Sequence, residues 1–379
     1  MGERRGQGRV RSLVLAAGLS LCAAPLMALD RLEFSLPEAG QDLADAVRGA
    51  SLLQSLEAQN QTNPQDLLGA ARADYGRILG ALYARGHYSA VIRITIDGRE
   101  AASIPALEEL AAISTILVAV DPGPLFRFGA ARVTPLAPNT TLPPGFQTGQ
   151  PAESGLVSDA VSAAILAWRE IGRAKAAVDD DRVVANHDTR VLDVDVALNP
   201  GPELRFGSLA ITGAERMREA RVAKIAGLPV GERFSESALR RSEMRLRRTG
   251  IFSSVNLVED EAITSPDLLG ITATVVEQKP RRYSFGAEVA SLDGVSLTAL
   301  WLHRNLLGGG ERLQISGAAT NIGAQSNGTD YDVAVALDRP ATFSPDTTAG
   351  VLLEYAHEDE VDYALDAVAF GLTLSHIFS

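Results

Sequence analysis

Two hydrophobic periods divide this chain. Up to Lys279, apolar residues recur at helical spacings broken by short β-branched runs; after Pro280, alternation takes over. Between Asn63 and Gly86, the residues Leu68, Ala71, Tyr75, Ile78 and Leu82 form one helical stripe. Asn63 suits the cap of that helix and Pro64 its first position, where a missing N–H costs nothing. Gly86 marks the stop, because glycine accepts a left-handed backbone cheaply. The segments Tyr88–Ile96 and Ile116–Val120 then read as strands.

The pattern repeats. Pro122-Gly123-Pro124-Leu125-Phe126-Arg127-Phe128-Gly129 returns as Pro200-Gly201-Pro202-Glu203-Leu204-Arg205-Phe206-Gly207, an offset of 78 residues. A helix-end marker built around Gly86 returns at Gly172 and Gly250, offsets of 86 and 78. Two independent markers sharing one offset define a three-unit array. In the third unit Leu209–Gly213 predicts an opening strand. Ser235 caps a helix bearing Leu239 and Leu246, Gly250 ends it, and Val255–Val258 and Ile271–Val276 complete a β-α-α-β-β order. Asp179-Asp180-Asp181 is expected in a turn between helix and strand.

Beyond Pro280, Tyr283, Phe285, Ala287 and Val289 share one parity, against Ser284, Gly286 and Glu288. Similar alternation marks Leu313–Ala318, Tyr331–Asp338, Ala349–Tyr355 and Ala367–Ser375. The second face is small and acidic in several strands, as a polar lumen allows, whereas a charge facing lipid would cost about 2–4 kcal/mol at mid-bilayer. At roughly 10 residues per strand this stretch supplies about six strands. The smallest membrane barrels use about eight, so the expectation is part of a barrel. A soluble β-sandwich also alternates, and membrane fractionation separates the two readings.

The N-terminus sets the compartment. Arg4, Arg5, Arg9 and Arg11 precede an apolar run, Leu13 to Leu26, too short for the about 20 residues of a membrane span. Small residues at Ala23, Ala24 and Ala28 close it, predicting a secretory signal over 1–28. That leader contains Cys22, the single cysteine, so the remainder has no disulfide or thiolate chemistry. Its four arginines and one acid carry +3, so the net charge moves from −12 to −15 without it. An acidic chain without a dense cationic face is a poor nucleic-acid binder.

Catalytic constellations are not met. His87, His187, His303, His357 and His376 are scattered, and His357-Glu358-Asp359-Glu360 lacks the second histidine of a zinc helix. Gly308-Gly309-Gly310 is not followed by the Lys-Ser/Thr of a phosphate loop, and no serine has a nucleophile-elbow setting. No cofactor, metal or enzymatic activity is expected.

Three segments carry a family resemblance: Phe206–Gly213, Gly231-Glu232-Arg233-Phe234 and Leu246–Val255 resemble a POTRA repeat. Asn305-Leu306-Leu307-Gly308-Gly309-Gly310 resembles the turn between the second and third barrel strands of the bacterial surface antigen superfamily, in which POTRA repeats precede an outer-membrane β-barrel. Three repeats and the start Leu29–Phe34 look most like the TamA-type branch; BamA-type insertases and two-partner secretion transporters are the alternatives. The implied fold is α+β: three POTRA repeats at 29–122, 123–202 and 203–279, then the first strands of a barrel at 280–379. The closing strand and inward loop of such a barrel are not within this sequence.

The resemblance implies an outer-membrane location with periplasmic repeats. It also implies outer-membrane or autotransporter clients, a TamB-like inner-membrane-anchored partner, and lipid contact. The first barrel strand, with Tyr283, Phe285, Ala287 and Val289, would be the client gate. On the third repeat, the edge strand with Val255 and Leu257 offers a site for strand addition, and the alternative is a repeat array that only spaces and orients. Arg240, Arg241 and Arg245, with Arg247 and Arg248, read as a solvated helix face, or else as a partner or headgroup contact. A fragment serving only as a periplasmic scaffold is the further alternative.

Overall fold

The computed structural model describes residues 29–378 apart from 38, 107, 265 and 325–327. The predicted leader lies outside these residues. Two compact units emerge. One comprises the chain up to Phe126 with Pro151–Ser154 and His187–Arg190; the other comprises Arg127–Gln150, Gly155–Asn186 and the chain from Val191 onward.

The first unit holds β1 (Arg31–Ser35), α1 (Gln41–Ala50), α2 (Leu52–Ala58), α3 (Pro64–Tyr83), β2 (Val91–Ile96), β3 (Arg99–Glu100) and β4 (Thr115–Asp121). As the sequence predicts, the Asn63 side chain caps α3 by accepting the Gln65 N–H at 2.9 Å, and Leu68, Ala71, Ile78 and Leu82 are buried. Gly86 follows with φ 81, the left-handed stop. One acid, Asp74, is fully buried in this core. It accepts the N–H groups of Leu52 at 2.7 Å and Leu53 at 3.2 Å, satisfying donors at the start of α2 that otherwise have no partner.

In the second unit come β5 (Arg127–Thr134), α4 (Ser154–Glu170), β6 (Ala177–Asn186) and β7 (Val191–Asn199). They are followed by β8 (Arg205–Thr212), α5 (Glu219–Ala226), α6 (Glu236–Arg248), β9 (Phe252–Thr264) and β10 (Leu268–Glu277). The three small sheets run β1-β4-β2-β3, β5-β7-β6 and β8-β10-β9. In each, the last long strand lies centrally, parallel to the opening strand and antiparallel to the one before it. The repeated sequence markers therefore correspond to one repeated topology.

The second repeat departs from its neighbours in its helices and from the expected pattern in one turn. It has a single helix, α4, among the described residues; where another would precede it, Pro135, Pro138, Pro143 and Pro144 interrupt the chain. Asp179-Asp180-Asp181 lies within edge strand β6, not in a turn, and the ladder shifts register between Val178 and Asp180. Exposed carboxylates on an irregular edge discourage pairing with another chain.

The third repeat has the core expected of its pattern. Phe206 and Phe234 are fully buried with ring centroids 5.0 Å apart. Gly227 ends α5 in the left-handed region at φ 57, and the Ser235 hydroxyl accepts the Ala238 N–H at 3.2 Å to cap α6. Arg169 of α4 ties the second repeat to the third. It pairs with Glu236 at 2.6 Å and with Glu259, and its guanidinium carbon stands 5.5 Å from the Phe234 ring centroid.

The remaining chain forms one antiparallel sheet in sequence order: β11 (Arg281–Ala290), β12 (Gly294–Arg304), β13 (Arg312–Ile322), β14 (Asp330–Arg339), β15 (Thr347–Asp359) and β16 (Ala364–His376). It is a mixed α/β architecture of POTRA-like units followed by a sheet like part of a barrel. No helix of the described residues is long and apolar enough to cross a membrane, which says nothing of strands.

Candidate functional site

The predicted gate residues lie on β11, the first strand of the large sheet. Among the described residues β11 pairs only with β12, and β16 only with β15. The register sets Tyr283 against Trp301, Phe285 against Ala299, Ala287 against Leu297 and Val289 against Val295. Onward from Trp301 the same row continues through Ile315, Val335, Leu353 and Phe370. One face is therefore apolar across all six strands. Phe285 and Val289 are 80% exposed on it, far beyond what a water-facing sheet gains from such residues. Ser284, Gly286, Glu288, Ser316, Asp332 and Glu354 occupy the other face, as the period of two requires.

Val255 and Leu257 lie on β9, an edge of the third small sheet, but their side chains are buried in the repeat core. What the edge offers is backbone, and the Val255 carbonyl already accepts from Arg247 at 2.8 Å. The arginines of α6 are also not a uniformly solvated face. Arg240 pairs with Glu236 at 2.9 Å and Arg241 is half-buried. Arg245 is 15% exposed and is held by Asp346, with its Nε 3.0 Å from Oδ1. The expectation of solvation fails there because the turn between β14 and β15 comes up against α6.

That contact belongs to a junction the sequence does not display. Arg221 of α5 is 8% exposed and has no carboxylate partner among the described residues. Its Nε donates to the Gly309 carbonyl at 2.9 Å, and its two terminal nitrogens donate to Pro340 at 2.7 Å and Ala341 at 3.4 Å. One guanidinium thus joins two separate turns of the large sheet to the third repeat. The Arg218 N–H adds a bond to the Gly308 carbonyl at 3.0 Å, and Lys224 reaches the Thr342 carbonyl at 3.3 Å. Beneath them Glu277 accepts the N–H groups of Glu215, Arg216 and Met217 on one oxygen, at 2.9–3.0 Å, fixing the loop that enters α5.

The turn at 305–311 is built for this approach. Gly308 and Gly310 have φ of 76 and 89, and a Cβ on Gly310 would stand 3.2 Å from Met217 and 3.3 Å from Ile225. The buried Glu311 carboxylate accepts the Gly309 N–H at 2.9 Å and that of Leu307 at 3.3 Å. Burial alone would raise its pKa, but these backbone donors bring it below the ordinary value. At the second turn, the Arg245 guanidinium foremost, then Arg248, draws the Asp346 carboxyl down to about 2 against the push of burial. The turn's glycines were the legible signal. Arg221 and Asp346 carried none, since neither sits in a motif.

Known proteins place parts of this arrangement. The POTRA family, described as surface antigen variable number repeat, matches residues 204–278. BamA from Haemophilus ducreyi lacking POTRA domains 1–3 superposes with a TM-score of 0.51 at 18% identity, over 66% of this chain and 47% of that one. Haemophilus influenzae BamA POTRA3–5 gives 0.47 at 15% identity, over 66% of this chain and 96% of that chain. CdiB from Escherichia coli gives 0.33 at 15% identity, over 68% and 57%. No curated protein matches the sequence. The likeness to the first structure concerns the fold, and this chain spans about half of that structure's length.

Proposed function

We propose that this protein is a non-enzymatic assembly or translocation factor of the outer membrane, with POTRA repeats in the periplasm leading into a membrane-embedded sheet. The observation that carries the reading is the continuous apolar face of β11–β16, joined by its turns to a POTRA repeat. In lipid every backbone polar group needs a partner, so an open strand edge is stable only when another strand covers it. An incoming client strand supplies those partners at β11, where Tyr283, Phe285, Ala287 and Val289 continue the apolar face onto the client. Arg221 and Asp346 hold the third repeat against two turns of that sheet.

Three repeats support a TamA-type role, with outer-membrane or autotransporter proteins as clients and a TamB-like partner docking on the repeats. The fold likeness to BamA favours a general insertase as the second reading. Membrane fractionation tests the common core of both. The chain should sediment with outer membranes and resist extraction by carbonate, and the region from Tyr283 onward should be protected from protease. A protein recovered in the soluble periplasm with that region digested would overturn the proposal.

A further inference from the structure

Charge is distributed very unevenly along the large sheet. Residues 281–378 contain five arginines and no lysine: Arg281, Arg282, Arg304, Arg312 and Arg339. All five stand at the strand ends nearest the third repeat: the first two positions of β11, the last of β12, the first of β13 and the last of β14. The opposite end carries Asp293, Asp330, Glu358, Asp359, Glu360 and Asp362 and no cation among the described residues. On the repeat side, the acids are largely engaged: Asp346 by Arg245 and Arg248, and Glu311 by backbone donors, with Arg339 3.8 Å away. On the opposite face the ladder sets Arg304 against Arg312, and Arg312 stands against Asp338 of the next strand.

A second, independent feature lies at the same end. On the apolar face Arg281 stands opposite His303, and one row inward Tyr283 stands opposite Trp301. Trp301 Nε1 and His303 Nδ1 are buried and have no hydrogen-bond partner among the described residues. Amphipathic aromatics at the border of an apolar band sit at headgroup level. Helix α6, held to this end by Asp346, adds Arg241 and the exposed Met244.

We infer that the repeat-side rim of the sheet binds anionic phospholipid headgroups, with Arg281 and Arg339 on the apolar face as the charge contacts and Tyr283 and Trp301 as the aromatic border beside them. The inference rests on the membrane reading of the sheet. It sets the cationic end at the leaflet facing the repeats and leaves the acidic end to the other surface. Phosphodiester binding here would be electrostatic, so it weakens as salt shortens the screening length.

The test is flotation of the full chain with vesicles of phosphatidylcholine alone, of phosphatidylcholine with phosphatidylglycerol, and of phosphatidylcholine with lipopolysaccharide. The phosphatidylglycerol vesicles should bind most tightly, with the preference falling in high salt. Arg281→Gln and Arg339→Gln should each lower that preference about five-fold while leaving insertion intact. Equal binding to the first two vesicles, or an undiminished preference in the double variant, would overturn the inference but not the membrane reading. Stronger binding to lipopolysaccharide would assign the rim to the other leaflet and also overturn it. Failure to float with any vesicle would overturn the membrane reading itself.

Discussion

A single carboxylate, Asp346, fastens α6 to a turn 101 residues away from Arg245, and its protonation sets when that fastening holds. Its carboxyl is lowered from 3.8 to about 2, so the charged form is the one the folded state favours. The contribution is therefore fully present above about pH 4 and is lost as the pH falls towards 2. Asp346→Asn should cost about 1.5–3 kcal/mol at neutral pH, the range for a hydrogen bond to a charged group. In the variant, the part of the acid-induced loss lying between those two values should shrink. Urea unfolding of the detergent-solubilised protein at several pH values measures both effects. Arg221 works differently: with only carbonyl partners, it stays charged and its three bonds carry no titration in this range.

At the scale of elements, the turn joining β12 to β13 is specified by close approach rather than by flexibility. Gly310 has φ 89, and a Cβ added there would stand 3.2–3.3 Å from Met217, Ile225 and Pro340, so an added methyl meets both backbone strain and packed side chains. Gly310→Ala should cost about 1–2 kcal/mol from the backbone alone. It should also loosen the carbonyls that Arg218 and Arg221 hold, and faster tryptic cleavage at those two arginines would register the loosening. The second repeat shows the converse case. It keeps the strand topology of its neighbours with one helix among the described residues, because the order of strand pairing rests on β5, β6 and β7 and not on the proline-rich segment before α4.

For the whole molecule, the two kinds of sheet ask for different surroundings. The repeats bury their apolar residues within themselves, as the clusters around Ile78 and around Phe206 show. The large sheet instead exposes Phe285, Val289, Val368, Phe370 and Leu372 on one face. Exposed contiguous apolar area of that kind drives association in water. Residues 29–279 expressed alone should therefore be soluble and monodisperse without detergent and retain the helical circular-dichroism signal. The full chain should require detergent or lipid. Size-exclusion chromatography of the two distinguishes the outcomes, and a full chain that is monodisperse in plain buffer would count against a lipid-facing sheet.

Whatever depends on near neighbours or on period is legible in the order of residues. Asn63, Pro64 and Gly86 set the limits of α3 because capping and left-handed backbone are local properties. The recurring Pro-Gly-Pro and helix-end markers exposed the repeats, and alternation assigned the two faces of β11–β16 because side chains along a strand must alternate. Tertiary structure decided what depends on distant partners. It turned Val255 and Leu257 into the core and put Asp179–Asp181 on an edge strand. It also gave Arg245 a buried acid and placed Arg221 between two turns. Burial and charge pairing are set by whichever groups the fold brings within a few ångströms, and no periodicity in the chain records that meeting.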